Sequence, residues 1–206
     1  MANAWPPVAE TESTQVGRAL SAEAWLALDE DEEGEWVDGL LVEEEVPDFT
    51  HEVTVSWLNA LLRNWLNGRG FVAGSELKIL TAKTRGRKPD LSVILPGSKA
   101  PPRSGPVRDP PDILVEVITP TPRDERRDRI EKMAEYAHFG VQYYWLVDPA
   151  LSAFEIFERA PDGNYKKLVG VTAGKIDPVP GCAGLVVDVD ALWAELARLG
   201  DGELAT

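Results

Sequence analysis

The stretch that most constrains this chain is Ile113-Leu-Val-Glu-Val-Ile118. A short run that is apolar at consecutive positions reads as a strand buried on both faces, the pattern of an inner strand in a sheet covered by helices. Glu116 interrupts it. An ionised carboxylate in such a place costs several kcal/mol unless a cation or a metal meets it, so its surroundings are expected to hold one. After Thr119-Pro-Thr-Pro122 a helix is expected from about Arg123 to His138, stopped by Gly140, and Gln142 to Val147 forms a further β-rich run. A strand–helix–strand crossover of this size implies parallel pairing.

The rest of the chain supplies the layers around that strand. Residues 1–20 have no apolar period and contain Pro6-Pro7, so a disordered or loosely attached arm is expected, followed by one domain over 21–200. Ser21 caps a short helix carrying Trp25 and Leu26, and Asp38-Gly39 between apolar residues signals a hairpin over Glu35 to Glu43. From His51 to Leu66, Val53, Trp57, Leu58, Leu61, Leu62 and Trp65 recur at spacings of three and four, one face of an amphipathic helix. Phe71 to Leu80 and Asp90 to Leu95 read as strands. The Pro/Gly/Ser-rich loop from Pro96 to Pro111 is long enough to suggest function or mobility. Ala153 to Arg159 and Tyr165 to Val171 flank Asp162-Gly163-Asn164 as a hairpin, and Ala191 to Leu199 is a last amphipathic helix.

With 206 residues and 44% hydrophobic composition, the core needs no staple. The lone Cys182 excludes an internal disulfide and a multi-thiolate zinc site; it is expected as a small buried apolar residue. No apolar run reaches the length that spans a bilayer. The start, Met-Ala-Asn-Ala-Trp-Pro-Pro, lacks the regions of a secretory signal, so a cytoplasmic protein with no membrane partner is expected. The net charge of −14 argues against a polyanionic partner. Its distribution points the other way, because residues 78–132 hold 13 Lys and Arg against 8 Asp and Glu. Between Asp29 and Glu52 there are 12 carboxylates and no Lys or Arg: a solvated acidic face, or a segment lying over the basic stretch.

Common catalytic motifs fail. There is no phosphate-cradling loop ending in Lys-Ser/Thr, no Gly-x-Ser-x-Gly and no His-Glu-x-x-His, and two histidines are too few for a relay. Carboxylates must carry any chemistry. Asp90 heads the strand expected beside that of Glu116. Two carboxylates converging from neighbouring strand ends suit Mg²⁺, which takes few protein oxygens and keeps room for water and phosphate. On the following helix Asp128, Lys132 and Tyr136 are spaced by four. That is either a surface ion pair or a stripe that brings Lys132 to the same site.

Taken together, Pro89-Asp90, Pro111-Asp-Ile-Leu-Val-Glu-Val-Ile118, Asp128-x3-Lys132-x3-Tyr136 and Gly140-Val-Gln-Tyr-Tyr-Trp-Leu-Val-Asp148 resemble the Uma2 family of restriction-endonuclease-like proteins, whose members look like divergent PD-(D/E)XK nucleases. The likeness extends from Glu35-Trp-Val-Asp-Gly39 to Trp193. It implies an α/β fold with a restriction-endonuclease-like core, a mixed β-sheet flanked by helices with additional hairpins. It also implies a catalytic set of Asp90, Glu116 and Lys132, with Mg²⁺ or Mn²⁺ on the two carboxylates. The parent pattern places its lysine two residues after the acid. Here that position is Ile118, and the family's usual answer looks like a lysine moved to the next helix, which maps to Lys132. Glu35 and His51 also match family positions, as accessory or structural residues.

The expected activity is metal-dependent hydrolysis of phosphodiester bonds in DNA, with Arg85, Arg87 and Lys88 on backbone phosphates. The alternative is a nuclease-like fold kept as a binding or assembly module without catalysis, favoured by Ile118 and the net charge. A homo-oligomer is left open.

Overall fold

In a computed structural model of the protein, the described residues are 17–28, 34–42 and 46–200. Most of the acidic run (29–33 and 43–45) and the first 16 residues of the expected arm lie outside these described residues. The rest of that arm is tied down. Gly17 N donates to Leu41 O at 2.8 Å and Leu20 N to Gly39 O at 2.8 Å.

The first helix, α1 (Ala22–Leu26), is opened by Ser21, whose hydroxyl accepts from Ala24 N. Strands β1 (Glu35–Val37) and β2 (Leu40–Val42) form the expected hairpin. Asp38 at φ 52° and Gly39 at φ 83° supply the two left-handed positions that its tight turn requires. Helix α2 (Phe49–Leu66) starts two residues before the expected His51, because the Asp48 carboxylate accepts from His51 N at 2.8 Å and so caps the helix. The run read as one strand from Phe71 to Leu80 is two: β3 (Phe71–Ala73) and β4 (Ile79–Ala82) join different sheets across a turn at 74–77. There follow β5 (Arg85–Arg87), β6 (Leu91–Ile94) and β7 (Ile113–Val117). The crossover is one continuous helical segment in three parts: α3 (Pro122–Arg126), a π-helical turn (Arg127–Lys132) and α4 (Met133–Phe139), ended by Gly140 at φ 109°. The chain closes with β8 (Tyr143–Asp148), β9 (Ala153–Arg159), β10 (Tyr165–Val171), the short pair β11 (Lys175–Ile176) and β12 (Val187–Asp188), and α5 (Val189–Leu196).

Among the described residues, six strands form the main sheet in the order β10-β9-β8-β7-β6-β3. Within it β7 and β8 are parallel, as the crossover requires, and the other neighbours are antiparallel. Alternation on β7 divides the core. Ile113, Val115 and Val117 face Leu58 and Leu62 of α2 and Leu192 of α5, while Leu114 and Ile118 face Tyr136 of α4. Each such side chain contributes about 1.5–3 kcal/mol on burial, so a one-residue slip of β7 is strongly disfavoured. Cys182 lies in the α2 face of this core, as expected, and burial pushes its thiol up to about 12.

A second sheet, β2-β1-β5-β4, packs on its own cluster of Trp25, Trp36, Leu41 and Leu80. Gly86 is required here: a Cβ would stand 2.3 Å from the Trp25 ring. The loop 96–111 is anchored rather than loose, since Val107 exchanges backbone hydrogen bonds with Lys78 and Leu80, and Asp112 accepts from Leu95 N and Ser98 Oγ. No helix among the described residues is long and apolar enough to cross a membrane.

Candidate active site

The antiparallel register that sets Leu91 opposite Val115 puts the preceding Asp90 opposite Glu116. Asp90 is fixed there by two contacts: its Oδ2 accepts from Val117 N at 2.7 Å and lies 3.2 Å from His51 Nε2. His51 comes from the first turn of α2, which the Asp48 cap aims at the strand ends. Both carboxylates line a cleft of about 210 Å³, walled on other sides by Glu35, Lys88, Arg127 and Lys132.

Glu116 is on the β7 face covered by the crossover helix, and both its oxygens are met from there. Lys132 Nζ donates to Oε2 at 3.0 Å and Tyr136 OH to Oε1 at 2.6 Å. The π turn explains how one helix delivers both. In a regular α-helix a spacing of four overshoots each turn by about 40°, which would fan Asp128, Lys132 and Tyr136 across the surface. A turn closed by i→i+5 bonds is wider, so the same spacing falls short within it and the two errors offset. All three side chains are consequently buried on one stripe. The Tyr144 hydroxyl donates to the Asp128 carbonyl at 3.1 Å, steadying the turn. The surface ion pair considered for Asp128 and Lys132 is therefore a buried one, 3.1 Å apart. Ile118, where the parent pattern has its lysine, is packed with Leu114 and Tyr144 in the apolar cluster, so that seat is filled by hydrocarbon.

Electrostatically the site is crowded with acid. Burial pushes the Glu116 carboxyl well above the ordinary range; Lys132 opposes this, and Asp90, Asp128 and Glu35 reinforce it. Glu35 goes the other way. Burial would raise it, but Lys132, Arg87 and Arg127 hold it down to about 2. Lys132 is disfavoured as a cation by burial, yet Asp128, Glu116 and Glu35 keep its ammonium protonated well beyond its usual range. Because Glu116 keeps its proton longer folded than unfolded, its share of stability is complete below the ordinary carboxylate pKa and is lost as pH rises through the raised value. In chelator-treated protein, the Glu116→Gln variant should therefore melt near the wild type at pH 4 and increasingly above it toward pH 9. Parallel melting curves across that range would count against a strained buried acid.

The three basic residues expected on DNA phosphates are not brought together as a patch. Arg87 is 1% exposed, with Nη1 2.7 Å from Glu35 Oε2 and Nη2 2.7 Å from Glu135 Oε2, so it cannot reach a ligand outside. Arg85 bridges Asp38 at 2.9 Å and Glu135 at 3.1 Å. Only Lys88 lies at the cleft, 3.1 Å from the exposed Glu76. Two carboxylates of the acidic run, Glu35 on β1 and Asp38 in the hairpin turn, thus pair with Arg87 and Arg85 of β5, while most of that run lies outside the described residues. Arg129 pairs with Asp148 and Glu155. Glu35 does reach the site, at 3.9 Å from Lys132 Nζ, while committed to Arg87 and to Lys88 N. Tyr136 and Asp128 stand in the same spacing of four that points Lys132 at the site. Glu135 carried no such signal.

The donor set decides what the site can hold. Among the described residues no group of three or more His, Cys, Asp or Glu side chains is arranged as a metal cage. What the cleft offers instead is the facing pair of carboxylates. It fits a hard divalent cation bound by Asp90 and Glu116 alone with water and phosphate oxygens as remaining ligands, which is how Mg²⁺ is usually held. A cation bound there would oppose the burial and the neighbouring acids that push the Glu116 carboxyl upward.

Comparison with known proteins agrees with this architecture. The Uma2 family model, described as a putative restriction endonuclease, matches residues 22–203. Among solved structures the chain is similar to a putative nuclease belonging to DUF820 from Anabaena variabilis, with 17% identity and a TM-score of 0.68 over 86% of this chain and 99% of that one. It is also similar to the type IIG restriction endonuclease BpuSI, at 19% identity and a TM-score of 0.40 over 75% of this chain and 17% of the other. No curated protein matches it. The Anabaena likeness shows a shared nuclease-like fold. The family match takes in both sheets, the crossover helix and every residue of the cleft, and on that span the chain belongs to the Uma2 family.

Proposed function

We propose that this protein is a Mg²⁺- or Mn²⁺-dependent nuclease that hydrolyses phosphodiester bonds of DNA, with Asp90 and Glu116 holding the cation and Lys132 acting on the phosphate. The observation that carries this reading is the convergence of Lys132, from the π turn, on Glu116 directly across the strand pair from Asp90, at an accessible cleft. Family membership supports a nuclease; DNA as substrate and the choice of metal are our inference. The bound cation would polarise the phosphate and activate a water. The protein's own groups do the rest. Lys132, held protonated by its carboxylate neighbours, stabilises the negative charge that builds on the phosphate in the transition state. Tyr136 orients the Glu116 carboxylate, and His51 orients Asp90. Lys88 and Arg127 stand at the cleft wall among five carboxylates, so attraction of an anionic substrate would depend on the bound cation. The cleft's volume suits one phosphodiester group and a few waters at about 30 Å³ each.

The test is calorimetric titration with Mn²⁺ and a cleavage assay on single-stranded, duplex and branched DNA. Asp90→Asn and Glu116→Gln should each abolish detectable metal binding and cleavage. Wild-type metal affinity in both variants would refute the assignment. Metal-independent DNA binding by the wild type, without cleavage of any substrate, would favour the binding-module alternative.

A further inference from the structure

The Lys132 ammonium has more anionic partners than one ion pair requires. Its Nζ lies 3.0 Å from Glu116 Oε2, 3.1 Å from Asp128 Oδ1 and 3.9 Å from Glu35 Oε1. The three are not equivalent. Glu35 is already balanced by Arg87 at 2.7 Å. Glu116 is the carboxylate that a divalent cation would claim. Asp128 is 1% exposed and sits four residues before Lys132 on the same π turn, so its distance to the ammonium is set within one element and not across two.

We propose that Asp128 is the positioning residue for Lys132: it anchors the ammonium from the helix side, so that Glu116 can give its charge to a divalent cation while Lys132 stays at the phosphate. The cation half of this statement rests on the nuclease reading above; the anchoring half does not. A buried ammonium with Glu116 as its main counter-charge would compete with the metal for that carboxylate, and losing the competition would leave it uncompensated in a low-dielectric site. A second close carboxylate removes the conflict. It also gives a reason for the π turn, which a regular helix would not supply: Lys132 and Tyr136 meet the β7 acid while Asp128 meets the ammonium from the same stripe.

Two measurements decide it. Asp128→Asn should weaken Mn²⁺ affinity about 10-fold by calorimetry, in the range of outer-shell substitutions at metal sites. In a Lys132→Met background the same change should cost less than about twofold, because no ammonium is left to compete. Asp128→Glu should restore part of the affinity. Equal losses in both backgrounds would mean that Asp128 meets the cation itself, and would overturn the positioning role. The second measurement uses no metal. In chelator, denaturant melts should show stronger coupling between Asp128→Asn and Lys132→Met in a Glu116→Gln protein than in the wild type, since Asp128 is then the principal anchor. Coupling that is absent, or equal in the two backgrounds, overturns the anchoring. If wild-type protein binds no Mn²⁺, the nuclease reading loses its metal while the melts still decide on Asp128.

Discussion

Replacing Lys132 by Met should lower DNA hydrolysis by on the order of 10²–10³-fold while metal-dependent DNA binding persists, the usual cost of removing one donor that acts where transition-state charge develops. The burial of this lysine adds a second expectation. Its ammonium pairs with Glu116 and Asp128, so the variant leaves two buried acids without their cation and should lose stability, more so as pH rises and Glu116 ionises. Rates should therefore be compared at a temperature where both proteins are folded. Lys132→Arg should rescue poorly. The side chain is only 4% exposed and its one nitrogen serves both acids within about 3 Å, whereas a planar guanidinium needs a wider seat. Full wild-type cleavage by Lys132→Met, measured in single-turnover assays, would remove the lysine from the mechanism even if the nuclease activity is real.

The second large effect falls on the fold. Arg87→Met should destabilise the protein by about 3–5 kcal/mol, which is the typical cost of leaving buried carboxylates without their cation. For a chain of this size that corresponds to a drop in melting temperature on the order of 10 °C. Arg87 carries four hydrogen bonds to Glu35 and Glu135, two of them at 2.7 Å, and ties the small sheet to the crossover helix through these acids. Removing the acids as well, in Arg87→Met/Glu35→Gln/Glu135→Gln, should recover much of the loss, because what destabilises is the uncompensated charge. The salt dependence of DNA binding should not change once the variant is compared under folded conditions. An unaltered melting temperature together with a flatter salt slope would return Arg87 to the surface and to the substrate.

Strand β7, its glutamate, the crossover and the parallel pair after it were legible because each is written in neighbouring residues. Burial on both faces leaves a continuous apolar run, Pro and Gly mark the helix ends, and a crossover of that length has one sensible pairing. Asp90 followed from the same logic, as the head of the adjacent strand. The stripe of Asp128, Lys132 and Tyr136 was visible as a spacing, although the spacing did not reveal that the backbone changes to a π turn to keep the three in line. The split of Phe71 to Leu80 between two sheets was hidden, since both halves have the same extended, apolar character and only their partners differ.

What the sequence determined by itself is therefore the order of the main elements and the candidate residues that stand on them. What only the tertiary structure decided is the state of each charge. Arg85, Arg87 and Lys88 form a basic run in the chain, yet Arg87 is consumed by Glu35 and Glu135, acids 52 and 48 residues away, and Lys88 alone reaches the cleft. Local pattern fixes which face a side chain leaves from. Whether its charge meets water, a ligand or a buried counter-ion depends on segments folded against it from far along the chain, and at a few ångströms in a low-dielectric interior that partner outweighs everything the local sequence contributes.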